Sequence, residues 1–148
     1  HDFHIHDWSY ETWARRIPGA GTHENCAHRL TQQMIAAAAE TPLPDTIISA
    51  EDTATRGLIT ALLQSGLRPG GDIRIITSAN RGSPLLDPYA HDMTQIVFDP
   101  DEDVGAMLDM LDCLMQKTTP PDNPVLIAPR LKTATDSPSA AVAVPGHV

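Results

Sequence analysis

Neither a Gly-x-Gly-x-x-Gly nor a Walker-type phosphate loop occurs in the 148 residues, and there is no Gly-x-Ser-x-Gly elbow. The usual dinucleotide, nucleotide and hydrolase signatures are therefore missing, and no His and carboxylate pair flanks an evident nucleophile, so an enzyme is not expected. Cysteine is scarce: Cys26 and Cys113 fall on separate expected helices without metal-type spacing and read as buried, reduced thiols. Positive charge is scarce too. Ten Lys and Arg against nineteen Asp and Glu give a formal charge of −9, and the ten are scattered, which excludes phosphate-backbone binding by these residues themselves. The longest apolar stretch, residues 34–39, is far short of a membrane span and suits the end of a soluble helix. A soluble, cytoplasmic chain is expected. It opens His-Asp-Phe with no initiating Met and no signal-peptide pattern, so a fragment of a longer protein is expected as well.

What is present is organised around residues 44–77, PDTIISAEDTATRGLITALLQSGLRPGGDIRIIT. A β-branched run (Thr46, Ile47, Ile48) ends at the acidic pair Glu51 and Asp52 and passes into a helical pattern with Leu58, Ile59, Leu62 and Leu63 on one face. The helix stops at Gly66, a Pro and Gly loop follows, and Ile73, Ile75, Ile76 and Thr77 complete a strand–helix–strand unit of parallel-crossover length. Ligands of such units sit at the carboxyl ends of the strands, which favours Ala50, Glu51 and Asp52 as binding positions. Asp52 or Thr53 supplies the helix cap, and for Asp52 cap and ligand contact stand as equal alternatives.

Elsewhere, residues 1–10 alternate as a strand carrying Trp8 near its end; His4 and His6 share a face, but two ligands are too few for a metal site. Thr22 caps a helix reaching Glu40, with Cys26, Leu30, Met34 and Ile35 at helical spacing, packed on a sheet. Residues 78–84 form a polar turn bordering the cleft, where Asn80 and Arg81 are turn formers or contacts to ligand hydroxyls and carboxylates. Residues 85–92 read as a surface loop with Tyr89 as a lid or wall, and residues 93–98 as a strand ending in Phe98. Asp99, Pro100 and the acids at 101–103 open a further helix, a pattern that accounts for the carboxylates without calcium. Its Val, Met and Leu residues are expected to pack into the core. An apolar run covers residues 124–131, and residues 137–148 are a loose tail.

The ordered set resembles the C-terminal part of the effector-binding domain of LacI/GalR-family bacterial transcription regulators. AEDTATRGLITALLQSGLRPGGDIRIIT follows that family's Ala-Asn-Asp, helix, Gly-Leu-x-x-Pro-x-Asp-Ile and strand sequence, while HDWS, MTQIVFDP and VLIAPRLKTATDS keep its order. The resemblance implies an α/β, periplasmic-binding-protein-like (type I) subdomain over residues 1–136, with a mostly parallel sheet flanked by helices. It implies a small effector, a sugar or sugar-like molecule, a homodimer, and control of DNA binding through an N-terminal helix-turn-helix domain that this chain does not contain; no cofactor, metal or membrane partner is implied. A periplasmic sugar-binding component of a transporter shares the fold and is the alternative. Asp52 matches the family's hydroxyl-binding Asp and Trp8 its aromatic platform. The full expected ligand set is Trp8, Glu51, Asp52, Asn80, Arg81, Tyr89 and Phe98. Glu51 replaces the usual Asn, residues 78–81 replace Gly-Phe/Tyr-Asp-Asp, and Phe98 with Asp99 stands where Gln-Pro is usual, so the gain of Arg81 suggests a ligand with an anionic group.

Overall fold

The computed structural model describes residues 21–119 and 125–133. The expected first strand, Trp8 and the C-terminal tail lie outside them. The first element is helix α1 (His23–Ala36), whose N-cap Thr22 accepts a hydrogen bond from the Asn25 amide, as its sequence predicts, and a short 3-10 turn (Ala37–Ala39) ends it. Strand β1 (Thr46–Ser49) leads into helix α2 (Asp52–Gln64), and β2 (Arg74–Asn80) follows. After a 3-10 segment (Asp87–Asp92) come β3 (Thr94–Phe98), helix α3 (Pro100–Met115) and the short β4 (Arg130–Lys132). The sheet order is β1-β2-β3-β4, the first three strands parallel and β4 antiparallel to β3. An open, mostly parallel α/β sheet with flanking helices is therefore the observed architecture.

The core lies on one face of that sheet. Alternate residues of β2, namely Ile75, Thr77 and Ala79, are buried under Leu58, Ile59 and Leu62 of α2. This is the period of two of a strand meeting the helical stripe. Leu63 falls off the stripe and is half exposed. Helix α1 packs along α2 at the cost of side-chain space: a Cβ on Gly57 would sit 2.0 Å from the Glu24 carbonyl oxygen. Next to that crossing Arg56 grips both oxygens of Glu24, one through Nε at 2.8 Å, and this hydrogen bond holds the Glu24 carboxyl below its ordinary range. Burial pushes the Cys26 thiol up, so it stays protonated in the interface, while Cys113 is a half-buried free thiol. The loop between α2 and β2 is stapled by Arg68, whose guanidinium hydrogen-bonds to Asp72 and holds that carboxyl at about 2.

Three expectations change. Strand β2 continues through Ser78, Ala79 and Asn80, which read as turn residues, because β3 gives each a registered partner in Ile96, Val97 and Phe98. Residues 85–92 are more than a surface loop: most form the 3-10 segment, Leu86 and Ala90 are buried and Tyr89 packs against the core, while Asp87, Pro88 and His91 stay exposed. Helix α3 forms as its start signals demand, with Asp99 accepting from the Asp101 amide at 3.1 Å and Pro100 at the first helical position, yet none of its residues is buried. Val104, Met107, Leu108, Leu111, Leu114 and Met115 are 50–73% exposed. They form a continuous stripe. On the sheet face away from the core, Ile48 and Leu131 are also exposed. Among the described residues no helix is long and apolar enough to cross a membrane.

Candidate functional site

Parallel pairing of β1, β2 and β3 brings their carboxyl ends side by side, and with them the turns that follow. At the end of β1 the chain turns through Ala50 and Glu51 into α2. Glu51, and not Asp52 or Thr53, is the N-cap; its backbone is extended and no side chain caps the helix. Its carboxylate instead accepts the Thr53 hydroxyl at 3.0 Å and pairs with His23 of α1. The first amides of α2 are thus left without a side-chain acceptor from the cap, as suits a helix start that meets a polar ligand.

The turn is pinned from beneath. The Glu51 carbonyl accepts the Thr55 amide at 3.1 Å and the Thr55 hydroxyl at 2.7 Å. The buried Thr77 hydroxyl lies 2.7 Å from that of Thr55 and 3.0 Å from the Ser78 carbonyl oxygen, so the two hydroxyls and the Glu51 and Ser78 carbonyls form one buried cluster beneath the turn. From the side, the Ser78 hydroxyl donates to the Ala50 carbonyl. Buried networks of this kind hold one geometry because any break leaves an unpaired polar group.

Freed from capping, Asp52 is held by a residue the sequence did not single out. The Ser83 hydroxyl, in the turn after β2, donates to Asp52 Oδ2 at 2.7 Å. One carboxylate oxygen is thereby fixed and the other, Oδ1, has no partner among the described residues. Glu51, Asp52, Ser78, Asn80 and Phe98 line one open depression of about 60 Å³, with Phe98 38% exposed. That volume is well below the ~300–1,000 Å³ of enclosed ligand pockets. It is an open surface and not an enclosed pocket.

Of the expected ligand set, then, Glu51, Asp52, Asn80 and Phe98 meet at this depression. Tyr89 does not: it is partly buried and packs against the core, outside the residues that line the depression. Arg81 lines the neighbouring cavity and its guanidinium is occupied, Nε lying 2.5 Å from Asp99 and Nη2 2.6 Å from Asp101. Burial works to raise the Asp99 carboxyl, but the Arg81 hydrogen bond and the amides of Asp101 and Glu102 outweigh it, and the carboxyl stays ionised and below its usual range. Two acids thus neutralise the cation on which an anionic effector was expected to depend. Among the described residues no group of three or more metal-ligating side chains converges.

The family model of the periplasmic binding protein-like domain matches residues 5–133 of the chain. No curated protein and no solved structure matches it.

Proposed function

We propose a ligand-sensing role for this chain, which belongs to the periplasmic binding protein-like domain family: it forms one wall of a cleft for a neutral, hydroxyl-rich effector, a sugar or sugar-like molecule, in a cytoplasmic LacI/GalR-type transcription regulator. The observation that carries the reading is Asp52, a carboxylate oriented by Ser83 at the carboxyl ends of parallel strands, with one oxygen open beside the exposed ring of Phe98. A carboxylate accepts from paired hydroxyls while a ring stacks on sugar C–H faces. The depression is too shallow to enclose a ligand, which fits a site completed by closure of a second lobe. The neutralised Arg81 favours uncharged sugars over sugar acids.

The same reading includes a homodimer whose contact is the apolar stripe of α3, paired with its counterpart on a second copy. Six large side chains exposed along one helix face are unfavourable in water, and the stripe lies on a helix that begins beyond the cleft. Calorimetry of the full-length protein against neutral monosaccharides, nucleosides and sugar phosphates tests the sensing role. A neutral sugar is expected to bind, with Asp52→Ala weakening it by about 10-fold or more, as for loss of a hydrogen bond to a charged group, and to change the protein's affinity for its DNA site. Binding that survives Asp52→Ala unchanged would remove the basis of the proposal, and binding without any effect on DNA would point to transport.

A further inference from the structure

A second cavity, of about 250 Å³, lies beside the depression and is lined by Asn80, Arg81, Ser83, Asp87, Gln95 and Lys132 among others. Its floor is unusual. Gln95 on β3 is 6% exposed, and its carboxamide has no hydrogen-bond partner among the described residues although no atom of it is wholly sealed from the cavity. The amide is thus held on a nearly buried side chain yet still reaches the cavity, where a bound polar group can take the place of water. Gln95 is registered directly opposite Lys132 on β4, so the two side chains leave the sheet on the same face. Lys132 has no ion-pair partner among the described residues, and neither has Asp87, which faces the cavity from the 3-10 segment. The two opposite charges share a cavity and do not meet. Arg81, the remaining charge on the wall, is already neutralised by Asp99 and Asp101.

From this juxtaposition we infer that the cavity is a binding site for a small zwitterion, an α-amino acid with a compact side chain. Its carboxylate accepts from the Lys132 ammonium and the Gln95 amide N–H, and its ammonium donates to the Asp87 carboxylate and the Gln95 carbonyl oxygen. Lys132, Asp87 and Gln95 then each gain a partner and the added net charge is zero. The cavity adjoins the Asp52 depression: Asn80 lines both, and Ser83 of the cavity wall holds Asp52.

Titration of the full chain with glycine and L-alanine, followed by calorimetry, tests the inference, with glycolate and glycerol as probes lacking the ammonium or both charges. Glycine and L-alanine are expected to bind in the ~mM range, with glycolate and glycerol at least about tenfold weaker. Lys132→Met and Asp87→Asn are each expected to lower the affinity about tenfold or more, and Gln95→Leu to abolish binding, whereas Arg68→Ala, remote from the cavity, leaves it unchanged. Should Gln95→Leu fail to fold, the two charge variants decide, since Asp87 is exposed and Lys132 only half buried. Absence of glycine and L-alanine binding at ~10 mM overturns the site. Equal binding of glycolate overturns the zwitterion, and so does wild-type affinity in either charge variant.

Discussion

Asp52 opens its helix without capping it. Glu51 takes the N-cap position, Ser83 holds one oxygen of Asp52, and the other has no hydrogen-bond partner among the described residues. Removing the Ser83 hydroxyl leaves the carboxylate charged but free to rotate, so Ser83→Ala is expected to weaken sugar binding about 2–10-fold, less than Asp52→Ala. Ser83→Thr, which keeps the hydroxyl, should restore affinity; calorimetric titration of the three variants checks the order, and a wild-type Kd for Ser83→Ala would show that the 2.7 Å bond does not position the acid. The sequence placed Asp52 at the turn between a β-branched run and a helix but left cap and ligand contact as equal alternatives, and the structure removes the cap. Ser83 was not legible there. A serine in a polar turn carries no periodicity, and its partner is 31 residues away. What could have found it is topology: once β1 and β2 are taken as parallel neighbours, the turns after them must meet. Gln95 was hidden for a similar reason, since alternation assigns it a face of β3 but does not say that the neighbouring wall lacks a partner for its amide.

At the scale of elements, the strand–helix–strand unit and the start of α3 were readable because local chemistry fixes them: β-branched runs, caps, Pro at a first turn, Gly66 at a helix end with φ of 75°. The end of β2 and the packing of α3 were not, because both depend on distant chain, one gaining a neighbour in β3 and the other lacking one among the described residues. Gly57 shows the same division. In sequence it is a weak point in a helix. In the structure it is the place where α2 admits the backbone of α1, with the Glu24 carbonyl oxygen 2.0 Å from any added Cβ. Gly57→Ala should raise helix propensity and still destabilise the protein, by at least the upper end of the about 1–3 kcal/mol seen for overpacked cores, because the obstructing atom is main chain and cannot rotate away. A urea titration measures this, with Thr60→Ala on the same helix as reference. Equal or greater stability of Gly57→Ala would mean that α1 shifts freely on α2.

Over the whole molecule two features oppose one another: a formal charge of −9, and an apolar stripe along α3 that nothing among the described residues covers. If the stripe joins two copies, each approaches the other against like charge, and the acids at 101, 102 and 103 lie on the very helix that must pair. Salt shortens the reach of that repulsion from about 30 Å at 0.01 M to about 8 Å at 0.15 M, while leaving apolar burial in place. Dimerisation through α3 should therefore strengthen with added NaCl, opposite to an interface built from ion pairs. Sedimentation equilibrium at ~0.05 and ~0.5 M NaCl is expected to show the dimer fraction rising with salt, and Leu108→Glu, in the middle of the stripe, should leave monomer at both because a carboxylate cannot be desolvated there without a partner. A dimer that weakens with salt would place the contact on charged surface instead. A monomer at both concentrations in the parent chain would mean that the stripe is covered by something other than a second copy.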